Sequence, residues 1–130
     1  MSNEINLEQV IAEVKSIFEL YESALISNNL AVLDQLFWHN KLVVRFGISE
    51  NLYGIEAIRE FRKARETTAL RRGLFNTIIT TFGFDFATTN TEFIRDDKVE
   101  GRQSQTWVRF PQGWKIVSAH VSFMHETNQA

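Results

Sequence analysis

The segment LVVRF, residues 42–46, contains an arginine where a buried strand normally carries aliphatic side chains. Two interpretations of Arg45 stay open. Its long side chain can run to the edge of a sheet and place the charge in water. Alternatively, its guanidinium faces an anionic ligand, because the planar fork of an arginine binds a carboxylate through two hydrogen bonds. The sequence therefore predicts either an edge arginine or a binding site for a small anion.

Tyr21 is the second candidate, because it lies on the apolar stripe of a helix predicted over residues 7–26. It is either a core tyrosine whose hydroxyl binds a backbone group or a proton-transfer group. A phenol with its ordinary pKa of about 10 is a poor base at neutral pH, and a nearby cation lowers that pKa. Arg45 is a candidate for that cation.

The final strand adds polar candidates. One of its faces is polar and includes His120, and we assign that face, together with Ser104 on the preceding strand, to a pocket. The other face is aliphatic and is assigned to the interface of a homodimer: Val117, Ala119 and Val121. Alternatively, His120 is a histidine of the core, and Ser104 carries an ordinary strand hydroxyl. Trp38, where the second helix ends, is expected to line the pocket mouth.

These side chains need a framework of three helices and a sheet. A second helix is predicted over residues 30–37 and a third begins at Gly54, with a short hairpin between them. After Leu70 the sequence predicts four strands, and a bend at Gly83 in the first and longest: 74–89, 91–95, 99–110 and 114–124. Helices followed by strands indicate an α+β domain, with helices over one face of a curved antiparallel sheet.

Length and composition exclude several classes of protein. The 130 residues predict a single domain over 1–130, and the net charge of -2 argues against a nucleic-acid partner. The absence of cysteine excludes a catalytic thiol and thiolate metal sites, and three separated histidines do not predict a catalytic metal. We expect no cofactor. No basic leader or long apolar segment is present, so no membrane association and a cytoplasmic, soluble protein are expected.

A basic run follows the start of the third helix and is interpreted as a solvated face that could steer anions: Arg59, Arg62, Lys63, Arg65, Arg71 and Arg72. No carboxylate is predicted on the pocket face. Glu22 falls beside the apolar stripe of the first helix, and Asp85 alternates with phenylalanines. A general base is therefore not identified.

Several segments carry a resemblance to known families. The order of elements and the ending GWKIVSAHVS resemble the NTF2-like, SnoaL-like superfamily of cone-shaped α+β barrels. FELYESAL, LFWHN, VVRFG and GRQSQTWVR are similar to the AtzH-like family, which includes HpxZ-type proteins of oxalurate catabolism. The resemblance implies a small enzyme or accessory protein that acts on ureido acids, such as dicarboxyurea or oxalurate, beside an amidase partner. It also implies catalytic roles for Tyr21 and Arg45.

Two functions are therefore expected. The first is a cofactor-independent amidohydrolase or deamidase in which Arg45 binds the substrate carboxylate, Tyr21 transfers a proton, and His120 with Ser104 orients the urea end. The second is a non-catalytic dimeric binding or accessory module for a partner amidase. Arg45 turned out to solvent, with the pocket closed by Trp38 and Phe61, would favour the second.

Overall fold

Three helices form one layer of the protein in the computed structural model, which describes residues 4–65 and 71–124. They are α1 (Glu8–Ser27), α2 (Leu30–Leu36) and α3 (Ile55–Ala64). Asn28 ends α1 in the left-handed region at φ 54°, and the Asn29 side chain accepts a hydrogen bond from the Val32 amide at the start of α2. In the described part of the chain, no helix has both the length and the apolar character needed to span a membrane.

The second layer is a six-stranded sheet in the order β2-β1-β6-β5-β4-β3. The strands are β1 (Val44–Phe46), β2 (Asn51–Tyr53), β3 (Arg72–Phe82), β4 (Phe86–Arg95), β5 (Glu100–Phe110) and β6 (Gly113–Phe123). β1 pairs with β6 in parallel, and the other neighbouring strands are antiparallel. The α+β prediction is confirmed. The sheet is mixed rather than wholly antiparallel, and it stays open between its edge strands β2 and β3.

The predicted long strand over 74–89 is wrong, because it is two strands. Gly83 has φ 63° and lies in the turn that joins β3 to β4, where Phe82 pairs with Phe86. Phe84 lies in that turn. The alternation of phenylalanines therefore reflects two strand ends and a turn, which give the same period as one strand.

The core lies between the helices and the inner face of the sheet. Trp107 is fully buried and its indole N–H donates to Thr89 Oγ1 at 3.1 Å. The indole of Trp114 donates to Glu13 Oε1 on α1 at 2.9 Å. Both tryptophans therefore pack in the core.

An irregularity in β6 decides which side chains face that core. Trp107 pairs with Ile116, whereas the neighbouring Thr106 pairs with Ser118, so Val117 is an extra residue in the ladder. Ile116 and Ala119 are both buried as a result, although a regular strand would place them on opposite faces. Beyond the bulge, the inner and outer faces of β6 are the reverse of those predicted.

Candidate functional site

A cavity of about 120 Å³ lies between α1 and the inner face of the sheet. Its polar lining includes Tyr21, Arg45, Arg65, Arg72 and Gln103, and its apolar lining includes Leu25, Phe93 and Val121. Tyr21 comes from the stripe of α1, and Arg45 comes from β1 opposite Ala119 of β6. The structure therefore brings Tyr21 and Arg45 to one cavity. The cavity is concave, small and rich in cations.

The phenol of Tyr21 is held by a buried arginine. Tyr21 is only 2% exposed, and Nη2 of Arg62 donates a hydrogen bond to its oxygen at 3.3 Å. Burial by itself raises the pKa of the Tyr21 phenol, but the fields of Arg62, Arg45 and Arg72, with the Arg62 hydrogen bond, outweigh it. The pKa of Tyr21 consequently lies below its ordinary value.

Arg45 points inward and is paired. Its Nη1 donates to Glu50 Oε2 at 2.9 Å, and its guanidinium lies over the Phe61 ring, 5.1 Å from the centroid. Burial lowers the pKa of Arg45. The charge of Tyr21 and the hydrogen bond to Glu50 oppose this shift but do not cancel it. A Cβ at Gly47 would overlap the Glu50 carboxylate, so a glycine at this turn leaves space for the pair. Arg45 is thus not the solvent-facing arginine that would favour an accessory module.

Arg72 forms the opposite wall from β3. Its Nε and Nη2 donate to the two oxygens of Glu22, both at 2.8 Å, and Nη2 also donates to Gln103 Oε1 at 3.1 Å. The Phe93 ring lies under the guanidinium at 4.4 Å. A side chain at Gly101, which pairs with Phe93, would collide with that ring. Glycine therefore allows the ring to support Arg72.

Arg65 and Gln103 carry donors without acceptors in the described part of the chain. These are Nε and Nη2 of Arg65 and Nε2 of Gln103. Burial, followed by repulsion from Arg62 and Arg45, lowers the pKa of Arg65 to about 10. Together with Arg45, Arg62, Arg72 and Arg95, this places five guanidinium groups at the site against three paired carboxylates, those of Glu22, Glu50 and Asp97. The described site thus has excess positive charge, which favours an anionic ligand.

His120 and Ser104 lie on the outer face of the sheet, so their predicted place in the pocket is wrong. The two residues pair across β5 and β6 and both are exposed. The Ser104 hydroxyl donates to Asn90 Oδ1 at 2.6 Å, and the His120 ring packs edge-on against Phe46 at 5.7 Å. Polar side chains were taken to mark the inner face of the sheet. That inference failed because the bulge at Val117 reverses the faces of β6, and because the interior itself contains arginine and glutamine side chains.

Trp38 lies at a different cleft, which it lines with His39, Phe110 and Lys115. Its ring stacks on Phe110 with centroids 5.6 Å apart. Trp38 does not line the Tyr21 cavity, so its predicted place at the mouth of that pocket is wrong. His125 is outside the described residues. Within the described ranges, no group of three histidine, aspartate or glutamate side chains could hold a metal ion.

Three arginines of the site, Arg62, Arg65 and Arg72, and their partners were not predicted as site residues. Arg62 is 5% exposed and the Arg72 side chain 6%, so neither belongs to a solvated basic face. A signal for Arg62 was available, because it follows Ile55 and Ile58 at helical spacing on the buried stripe of α3. Glu22 and Glu50 carried no such signal, since each is brought to its arginine by tertiary packing.

Helices packed over one face of an open, mixed sheet, with a polar cavity between the layers, form an NTF2-like α+β fold. An NTF2-like protein from Salmonella enterica has this fold, with a TM-score of 0.75 at 22% identity over 92% of this chain and 94% of that one. Within this class the assignment is narrower. The sequence matches the AtzH-like family over residues 3–127, and the chain belongs to that family.

Two solved structures are similar in sequence as well as in fold. A DUF3225-family protein of unknown function from Pectobacterium atrosepticum is 54% identical, with a TM-score of 0.92 over 93% of this chain and 95% of that one. A cystatin-like fold protein from Burkholderia xenovorans is 45% identical, with a TM-score of 0.91 over 96% and 99%. No functionally curated protein matches the chain significantly.

Proposed function

We propose that the protein is an amidohydrolase or deamidase that acts on a small ureido carboxylate resembling dicarboxyurea or oxalurate. The observation that carries this proposal is the cavity of about 120 Å³ in which Tyr21 adjoins buried guanidinium groups. The volume suits a ligand of a few non-hydrogen atoms, and the charge suits a carboxylate. In keeping with the family resemblance, the reaction belongs to nitrogen catabolism in the cytoplasm, with oxalurate catabolism as one example, and proceeds beside a partner amidase.

The arginines bind the substrate. Arg45 binds the carboxylate, because its guanidinium faces the cavity and keeps donors beyond the one used by Glu50. The free donors of Arg65 and Gln103 bind the remaining oxygens of the ureido group. Glu22 and Glu50 remain paired and orient Arg72 and Arg45. These roles replace those expected for His120 and Ser104.

Tyr21 transfers the proton. In its phenolate form, favoured by the surrounding arginines, it accepts a proton from water as the water oxygen bonds to the ureido carbonyl carbon. Guanidinium groups stabilise the oxyanion that forms. When the C–N bond breaks, Tyr21 returns the proton to the departing nitrogen. One tyrosine thus serves as base and then as acid, and no free carboxylate is needed.

The alternative is a non-catalytic binding or accessory module for an amidase. It is favoured by the pairing of both site carboxylates with arginines, which leaves neither of them as a free base. In this case the same cavity binds a ureido carboxylate without turnover. The two functions therefore share a ligand and differ in chemistry.

Ammonia release from a panel of ureido acids tests the proposal. The wild type should release ammonia, and Tyr21→Phe should reduce kcat by about a hundredfold or more, the range of a lost proton-transfer group. Ser104→Ala is the matched control, because Ser104 is exposed on the opposite face of the sheet and should leave the rate unchanged. Calorimetric binding without turnover would support the accessory module, and absence of both would reject the site.

A further inference from the structure

A second cavity lies between α2 and α3 and shares no lining residue with the Tyr21 cavity. Its volume is about 280 Å³, which is close to the lower range of small-molecule sites. The floor consists of the buried apolar side chains of Leu33, Phe37, Ile55 and Ile58. This cleft could accept an apolar body of several carbon atoms.

One buried cation faces this apolar floor. Arg62 lines the cleft, is 5% exposed, and has its guanidinium 5.6 Å from the centroid of the Phe37 ring. Its Nη2 donates to Tyr21, whereas Nε and Nη1 are buried and have no acceptor among residues 4–65 and 71–124. A buried guanidinium with unused donors is costly unless an acceptor reaches it. An acceptor that enters the cleft and reaches Arg62 would therefore be stabilising.

The acidic residue of the cleft is already engaged. Asp34 accepts hydrogen bonds from Nε and Nη2 of Arg59 at 2.7 and 3.3 Å, and His39 lies 3.3 Å from its carboxylate. Lys63 at the rim is mostly exposed and lies 3.7 Å from Glu60. The cations of the rim are thus paired with carboxylates, and Asp34, which is held by Arg59, does not neutralise Arg62.

We propose that the cleft between α2 and α3 is a second ligand site, for a small monocarboxylate with an apolar body. The carboxylate accepts from Arg62, and the body packs on Leu33 and Ile58. Such a ligand gains free energy both from burial of its apolar area and from a charge-assisted hydrogen bond to a buried donor, so the cleft favours monocarboxylates with an apolar body. An alcohol or amide of the same shape lacks the charge and binds more weakly.

Arg62 couples this site to Tyr21, a consequence that rests on the proposed function. A carboxylate on Arg62 reduces the positive field at the phenol and so disfavours the phenolate. The ligand would therefore inhibit turnover, and ligands in the two cavities would alter each other's affinity by the same factor. Binding in the cleft itself does not depend on catalysis.

Benzoate is a suitable probe, with benzyl alcohol as the uncharged control. Methyl NMR of labelled isoleucine should show saturable shifts at Ile55 and Ile58, with a Kd for benzoate of about 1 mM or lower and at least about tenfold weaker binding of the alcohol. Ala31→Trp should abolish the shifts, because Ala31 is exposed at the cleft and an indole would fill it. Tyr21→Phe should retain them even if it abolishes ammonia release.

The outcomes separate this inference from the proposed function. Benzoate shifts that saturate at Ile55 and Ile58, and that are lost in Ala31→Trp, support the site whether or not any ureido acid is hydrolysed. No saturable shift, equal affinity for benzyl alcohol, or shifts centred on Ile48, which lines the other cavity, would overturn it.

Discussion

At the scale of single residues, the protein places cations where an apolar core would otherwise lie. Arg45 and Tyr21 could be recognised from sequence because an arginine within LVVRF and a tyrosine on an apolar stripe are each unusual in position. Their convergence on one cavity depends on the pairing of β1 with β6, which is non-local. Residue type and position thus made these two residues candidates, the family resemblance implied their catalytic roles, and tertiary structure supplied Arg62, Arg65 and Arg72.

Tyr21 should ionise at lower pH in the folded protein than in the unfolded chain. Its folded pKa is depressed, so it contributes stability above the ordinary tyrosine pKa, and that contribution is lost as pH falls through the folded pKa. We expect the stability difference between wild type and Tyr21→Phe to grow as pH rises from the folded pKa to the ordinary tyrosine pKa. Chemical denaturation at several pH values measures it.

Ultraviolet titration of tyrosinate gives an independent check, because the chain contains two tyrosines. Tyr21→Phe should remove the step at the lower pH, whereas Tyr53→Phe, which alters a tyrosine that is 65% exposed, should leave that step in place. Loss of the low step from Tyr53→Phe would contradict the assignment.

Arg45→Lys should weaken substrate binding more than it slows turnover. Lysine keeps the charge but loses the planar fork, and one hydrogen bond to a charged group is worth about 1.5–3 kcal/mol, or roughly 10–100-fold in KM. Arg109→Lys is the matched control, because Arg109 pairs with Asp85 at an exposed position. A fall in kcat with unchanged KM would indicate that Arg45 acts on the transition state instead.

At the scale of elements, helices were more predictable than faces of strands. The periods of α1, α2 and α3 are visible in the sequence, and their observed bounds agree closely with it. The bulge at Val117 has no signal in the sequence that is as clear as a helical period. It reversed the predicted faces of Ala119, His120 and Val121. A single extra residue thus decided which side chains could meet a ligand.

The turn between β1 and β2 should control the orientation of Arg45. Gly47→Ala would force the Glu50 carboxylate away from Arg45, because the new Cβ would occupy its place. We expect a raised KM with a small loss of stability, since Glu50 is flexible and can turn to water. Gly73→Ala in β3 is the control, because a Cβ there meets nothing within 4 Å. Equal KM values for the two variants would refute a positioning role for Glu50.

At the scale of the whole molecule, the layers leave one face of the sheet uncovered. The helices cover the inner face, and the outer face of β3 and β4 exposes four apolar side chains, the outer apolar patch: Phe75, Ile78, Phe82 and Phe86. The strip predicted as a dimer interface is not there, because Ala119 is buried and Val121 lines the Tyr21 cavity. Exposed apolar side chains still favour an interface between subunits, but they lie on β3 and β4 rather than on β6.

We propose that two copies form a homodimer through the outer apolar patch. Ile78 is 62% exposed on this face, and beyond the Thr80–Thr88 pair lie the paired Phe82 and Phe86 rings, 5.9 Å apart. Exposed apolar side chains grouped on one face of a sheet are unfavourable in water and are suited to a self-complementary twofold contact. The cavity opens on the other side of the sheet, so dimerisation would leave the ligand site accessible.

Ile78→Lys should shift the protein from dimer to monomer in light scattering at micromolar concentration. A buried, unpaired ammonium on each side of the interface should raise the dimer Kd by about tenfold or more. Leu42→Lys is the matched control, because Leu42 is 65% exposed away from the patch, so the same substitution should leave the dimer intact. A monomeric wild type, or equal dissociation of both variants, would contradict this interface. Because Ile78 is largely exposed in the single chain, its replacement should not unfold the subunit, so any loss of dimer reports on the contact itself.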